Sequence, residues 1–171
     1  MIRSTIALVL ALATAGFAGL PVTPAPDQAA LLASASPKLA ANKKLCYDFF
    51  RIVLRGRRLE RVEEFMQVSY IQHNPEVATG MAGFLEFFSH LGGPRPVPDT
   101  LPGLVAIQAE GDLVTLSFVD EREDPAHPGT KYTTTWFDMF RIEDGRLAEH
   151  WDNDTLSATR AVAPAPKLHI R

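Results

Sequence analysis

Two short strings hold most of the side chains able to do chemistry in this chain: Tyr70-Ile71-Gln72-His73-Asn74-Pro75 and Glu149-His150-Trp151-Asp152. Each sets ionisable or amide groups inside an apolar stretch. Burying such groups is costly unless they are paired, so they serve either a structural hydrogen bond or a site. Asp152 is the residue best suited to be a base, because a carboxylate stripped of water in an apolar pocket has its charged form disfavoured. His73 and His150 can donate a hydrogen bond to a developing enolate oxygen, or hold Asp152 in place. Asn74 can do the same through its amide, and Tyr70 can line the wall. The competing structural reading is that Asn74 caps a turn and that Asp152 and Asn153 tie down loop backbone.

The elements that must position these groups follow from hydrophobic spacing. Leu45, Phe49 and Val53, with Phe50 and Leu54 alongside, recur at helical spacing and predict a first helix that Gly56 ends. Leu59, Val62, Phe65 and Met66 predict a second, shorter helix. His73-Asn74-Pro75 stops any helix there, because the residue before proline is pushed out of the helical region. Residues 80–90 predict a third helix, with Phe84, Leu85 and Phe88 on its apolar side. After Leu104 the period becomes two. Strands are predicted over 104–109, 113–119, 133–142 and 147–154, with hairpin turns at Glu110-Gly111-Asp112 and Asp144-Gly145. Helices first and an antiparallel meander after give an α+β domain in which one strongly curved sheet wraps around the helices.

Alternate residues of a strand share a face, so His150 and Asp152 point one way and Glu149 and Trp151 the other. We assign His150 and Asp152 to the concave face. Trp151 then lies on the convex face, where it suggests a dimer contact. The reverse assignment puts Trp151 in the pocket.

Composition narrows the function classes. Of 171 residues, 46% are hydrophobic, enough for one domain with a core. The net charge of -3, with 17 basic and 20 acidic residues interspersed, offers no basic face for nucleic acid. Met1-Ile2-Arg3 followed by an apolar run over 6–20, with the small residues Gly16 and Ala18 three and one before a possible cut, has the layout of a signal peptide. The expected organisation is a signal peptide over 1–18, a flexible Pro/Ala-rich linker over 19–38, the folded domain over 39–159 and a loose tail over 160–171. Export to the periplasm or medium is expected, with no membrane contact after cleavage. The single cysteine, Cys46, reads as a core residue. The five histidines show no metal-ligand spacing, so no metal is expected, although His73, His150 and Asp152 would be the set to bind one. No phosphate loop, nucleophile elbow or redox-cofactor motif is present.

The first string, then Gly80 and the Phe84–Phe88 helix, resembles the SnoaL-like polyketide cyclase family of the nuclear transport factor 2-like superfamily. So does Phe140-Arg141-Ile142-Glu143-Asp144-Gly145-Arg146-Leu147 followed by Glu149-His150-Trp151-Asp152. The resemblance implies a cone-shaped, cystatin-like α+β roll with an internal pocket. It implies cofactor-free acid–base chemistry next to a carbonyl (aldol-type cyclisation, isomerisation or dehydration) with Asp152 as acid–base residue. It also implies a homodimer. The catalytic set is then Asp152, His150 and His73. Tyr70, Asn74, Phe84, Phe88 and Trp136 line the site of a small apolar carbonyl compound. A non-catalytic exported module for an apolar ligand or protein partner is the alternative, and epoxide hydrolysis a third.

Overall fold

In the computed structural model, residues 19–156 are described. The expected signal peptide over 1–18 and the tail over 160–171 lie outside the described residues. Helix α1 spans Gln28–Leu32 and α2 spans Pro37–Phe49, which runs on as a π-helical turn over Phe50–Arg55. Ser36 starts α2: its hydroxyl accepts the Leu39 N–H at 3.4 Å, and Pro37 sits where a missing N–H costs nothing. A short 3-10 turn over Leu59–Glu64 leads into strand β1, Met66–Gln72. Helix α3 covers Gly80–Ser89, and four strands follow: β2 Leu104–Glu110, β3 Leu113–Glu123, β4 Lys131–Glu143 and β5 Arg146–Asp152. Among the described residues, no helix is long and apolar enough to cross a membrane.

The expected α+β architecture is the one the chain adopts. A single curved five-stranded sheet, in the order β1-β5-β4-β3-β2, packs its inner face against the helices. Asp144 and Gly145 both take positive φ, 50° and 70°, as the tight β4–β5 hairpin requires. Three details differ from expectation. The second predicted helix is only the 3-10 turn, and β1 begins at Met66, because Val68, Tyr70 and Ile71 favour a pleated strand. That strand pairs with β5 in parallel, so the sheet is not wholly antiparallel.

The third difference is the stretch 19–38, which is not a free linker. The Gln28 carboxamide exchanges two hydrogen bonds with the Leu101 backbone, at 2.7 and 2.8 Å, and accepts the Tyr47 hydroxyl at 2.8 Å. The Ala25 N–H donates to the Leu104 carbonyl at 2.8 Å. Pro and Ala content predicted flexibility, but these tertiary hydrogen bonds fix the segment.

The core is aromatic. Phe49 lies 5.7 Å from Phe84 and 5.9 Å from Phe140, and Phe50 lies 5.0 Å from Phe118. Each such pair adds about 1 kcal/mol beyond its buried area. Cys46 is fully buried among them, and burial pushes its thiol up and out of reactive range. Thr79 links α3 to β1: its hydroxyl donates to the Tyr70 carbonyl and accepts the Gln72 N–H, both at 3.2 Å. The helix that carries Phe84 and Phe88 is thereby fixed over the strand that carries Tyr70 and Gln72.

Candidate functional site

The parallel β1–β5 pairing sets Gln72 directly beside His150, 78 residues away in the chain. The antiparallel β4–β5 pairing sets Asp138 opposite Asp152 and Phe140 opposite His150. Three strands therefore aim polar side chains into one end of the concave face. The cavity there measures about 200 Å³. Its walls are rings of Tyr70, Phe84, Phe88, Trp136 and Phe140, and its polar end is Asp138, His150, Asp152 and Asn74.

The hydrogen bonds assign the protons. Gln72 Oε1 accepts the Asn74 N–H at 2.9 Å and lies 2.8 Å from His150 Nδ1. Nδ1 must therefore be a donor to Gln72. The other ring nitrogen, Nε2, lies 3.1 Å from Asp138 Oδ1. A neutral imidazole protonated at Nδ1 can only accept at Nε2, so either Asp138 carries the proton or His150 is an imidazolium facing a carboxylate. In both states one proton occupies the Asp138–His150 contact. Burial raises the Asp138 pKa, opposed by the His150 hydrogen bond, and the nearby Asp152 charge raises it further. Burial likewise keeps the Tyr70 phenol neutral, with Asp138 and Asp152 adding to the effect.

Asp152 is held separately. Asn74 Nδ2 donates to its Oδ2 at 2.6 Å, and the Asp154 N–H donates to its Oδ1 at 3.1 Å. Its side chain is only 4% exposed, and Oδ2 stands 4.0 Å from His150 Nε2. Asn74 fills both expected roles: its Oδ1 accepts the Glu76 N–H at 2.8 Å, closing the turn before α3, while its amide nitrogen faces the site.

Of the residues singled out from sequence, His150, Asp152, Asn74, Tyr70, Phe84, Phe88 and Trp136 all meet at this cavity. His73 does not. Its ring is 44% exposed on the outer face, stacked on Trp151 at 5.1 Å, with Nε2 2.8 Å from Glu149 Oε1. The reason is strand alternation: with Tyr70 inward, Gln72 and Asn74 also face inward, and Ile71 and His73 face out. Reading the string as a turn after a helix concealed that alternation. Asp138 was missed as well. Trp136, Asp138 and Phe140 alternate along β4 on the inner face, and a carboxylate in such a row is a usable sequence signal. Gln72 and Asp154 complete the cluster.

Asp138, His150 and Asp152 each present one potential ligand atom, all within 4.8 Å of one another. A divalent cation would have to displace the proton shared by Asp138 and His150 to bind there. The Asp138–His150 hydrogen bond and the β4–β5 register that sets Asp138 opposite Asp152 already account for the close approach.

The molecule is an α+β roll, one curved sheet around helices, with a polar cluster at one end of an aromatic cavity. Residues 47–150 match the model of the SnoaL-like domain, and the chain belongs to that family. Among solved structures it is similar to TsrD from Streptomyces laurentii, at 21% identity and a TM-score of 0.46, over 67% of this chain and 87% of that one. It is also similar to a candidate polyketide cyclase from Acidithiobacillus ferrooxidans, at 21% identity and a TM-score of 0.47, over 70% and 89%. A third is an LEH-like epoxide hydrolase from M. tuberculosis, at 14% identity and a TM-score of 0.46, over 66% and 80%. A sequence search of curated proteins gives no match.

Proposed function

We propose that this chain is a cofactor-independent enzyme acting next to the carbonyl of a small, largely apolar compound. The observation that carries the reading is the buried 3.1 Å hydrogen-bond contact between Asp138 Oδ1 and His150 Nε2, facing a separately held carboxylate, Asp152, in an aromatic cavity. Asp152 takes a proton from the carbon beside the carbonyl, and the electrons of that C–H bond form the enolate. The Asp138–His150 pair gives its proton to the enolate oxygen, so charge never accumulates there. The resulting enol can attack a second carbonyl in the same molecule, shift a double bond or expel a leaving group. Aldol-type cyclisation, isomerisation and dehydration share this first step. Membership of the SnoaL-like family supports an enzyme of small molecules.

The shared step permits a test that needs no knowledge of the substrate. The α-protons of 2-acetylnaphthalene in D₂O are followed by proton NMR, with and without protein. Exchange for deuterium accelerated by the protein, and lost in Asp152→Asn, is the expected result. No acceleration, or equal exchange by the Asp152→Asn protein, overturns the reading and leaves a ligand-binding module.

Export through residues 1–18 and pairing of two copies belong to the same proposal. The outer face around Phe137, Met139 and Trp151, where Phe137 is 48% exposed, supports the pairing. Light scattering of wild type against Phe137→Lys checks the dimer. The N-terminal sequence of exported protein checks the cleavage.

A further inference from the structure

The polar cavity does not end at Asp138. Leu54, Phe88, Trp136 and Asp138 also line a neighbouring cavity of about 340 Å³, an outer lobe whose lining includes Arg55, Arg57 and Asp120. Arg57 is the unusual member. Its Nε and Nη1 are buried and have no hydrogen-bond partner among the described residues. Its guanidinium lies over the Phe88 ring, 5.5 Å from the centroid. A guanidinium N–H turned away from solvent without an acceptor carries a cost, while the side chain as a whole is only half-buried.

The neighbours do not meet that need. Arg55 and Arg95 both bear on Arg57, so its nearest charged company is cationic, and burial with their repulsion lowers its pKa. The two carboxylates that line the lobe are both engaged, Asp120 by the Arg122 Nε at 2.7 Å and Asp138 by His150 at 3.1 Å. The backbone adds to the case. After the helix ends, with the Gly56 N–H on the Arg51 carbonyl and the Arg58 N–H on the Ile52 carbonyl, Arg57 takes φ 53°. That left-handed position favours glycine. Here an arginine occupies it, at a conformational cost, and places its head group in the lobe.

We propose that the substrate carries a carboxylate, which Arg57 binds in the outer lobe while the carbonyl lies against Asp138 and His150 in the inner one. The assignment rests on the inner lobe being the carbonyl site. A monoanion fits better than a phosphate: of the arginines on the lobe only Arg57 has buried N–H groups without a partner, and a dianion would bring a second charge close to Asp120 and Asp138. Arg55 and Arg95 then draw the anion to the mouth, and Arg57 fixes it.

The test uses 6-acetyl-2-naphthoate and its methyl ester, which differ only in the charge, titrated into the purified protein by calorimetry. The acid is expected to bind about tenfold or more tighter than the ester, the usual yield of one charge-assisted arginine contact. Arg57→Gly suits the left-handed backbone and keeps the fold while removing the head group. It is expected to bring the acid down to the level of the ester and leave the ester unchanged. Arg57→Lys keeps the charge and is expected to retain part of the preference. Equal binding of acid and ester by the wild type, or loss of both alike in Arg57→Gly, overturns the assignment. Deuterium exchange into the acetyl group of the same acid is read in parallel. An Arg57-dependent preference with no exchange leaves the carboxylate site standing and removes the enzymatic reading alone.

Discussion

Strand β5 contributes one member to each of two histidine–carboxylate pairs on opposite faces, His150 inside and Glu149 outside, and the pairs behave in opposite ways. Inside, His150 meets Asp138 at 3.1 Å with both side chains buried. Outside, His73 meets Glu149 at 2.8 Å, with His73 open to water. The contacts are chemically alike, yet the Asp138 carboxyl is raised and the Glu149 carboxyl is lowered. For Asp138 the removal of water outweighs the hydrogen bond from His150. For Glu149 the hydrogen bond from His73 outweighs a weak burial effect, and the Arg141 guanidinium at 2.9 Å adds to it. Loss of water around Asp138, and the second partner Arg141 beside Glu149, together send the two carboxyls in opposite directions.

The largest expected effect is on catalysis, and it breaks the symmetry outright. Asp152→Asn should slow α-proton exchange by about 10²–10⁴, and Asp138→Asn by about 10². Glu149→Gln, on the outer face, should leave exchange unchanged. An equal loss in all three, measured by NMR, would mean that the two faces are not functionally distinct.

A smaller contrast lies in stability. His150→Ala leaves Asp138 buried without its partner and should cost about 3 kcal/mol in urea unfolding. His73→Ala removes an exposed pair and should cost less than about 1 kcal/mol. Similar costs for the two would show that water reaches the inner pair.

The smallest effects are in pH dependence, with opposite signs. A carboxyl whose folded pKa is raised, such as Asp138, supports the fold fully below its unfolded value. That support is lost as pH rises through the folded value. Asp138→Asn should flatten the fall in Tm on that upper side. A carboxyl whose folded pKa is lowered, such as Glu149, supports the fold above its unfolded value and loses that support as pH falls through the folded one. Glu149→Gln should flatten the acidic limb instead. Tm against pH for the two variants checks both signs.

The same two faces mark how far the sequence could be read. On β5 the alternation of Glu149, His150, Trp151 and Asp152 was enough to separate the pairs, and the meander and its Asp144-Gly145 turn supplied the strand. On β1 the alternation of Tyr70, Gln72 and Asn74 was equally present, but a helix assigned just before it hid the strand and sent His73 to the wrong side. On β4, Trp136 was recognised and Asp138, two residues on, was not. Both patterns are short-range and present in the sequence.

What the sequence determined by itself is periodic and local: the class of fold, the four-strand meander β2–β5 with its turns, the helix before it, and the inward face of β5. These follow from hydrophobic spacing and turn chemistry within about a dozen residues. Three things were decided only by the tertiary structure. The parallel pairing of β1 with β5 brings Gln72 to His150, the docking of residues 19–38 rests on Gln28 reaching Leu101, and the meeting of two cavity lobes puts Arg57 beyond Asp138. Each joins residues remote in the chain. Their energies come from burial and hydrogen bonds that exist only once the whole sheet has closed over the helices, so no local pattern records them.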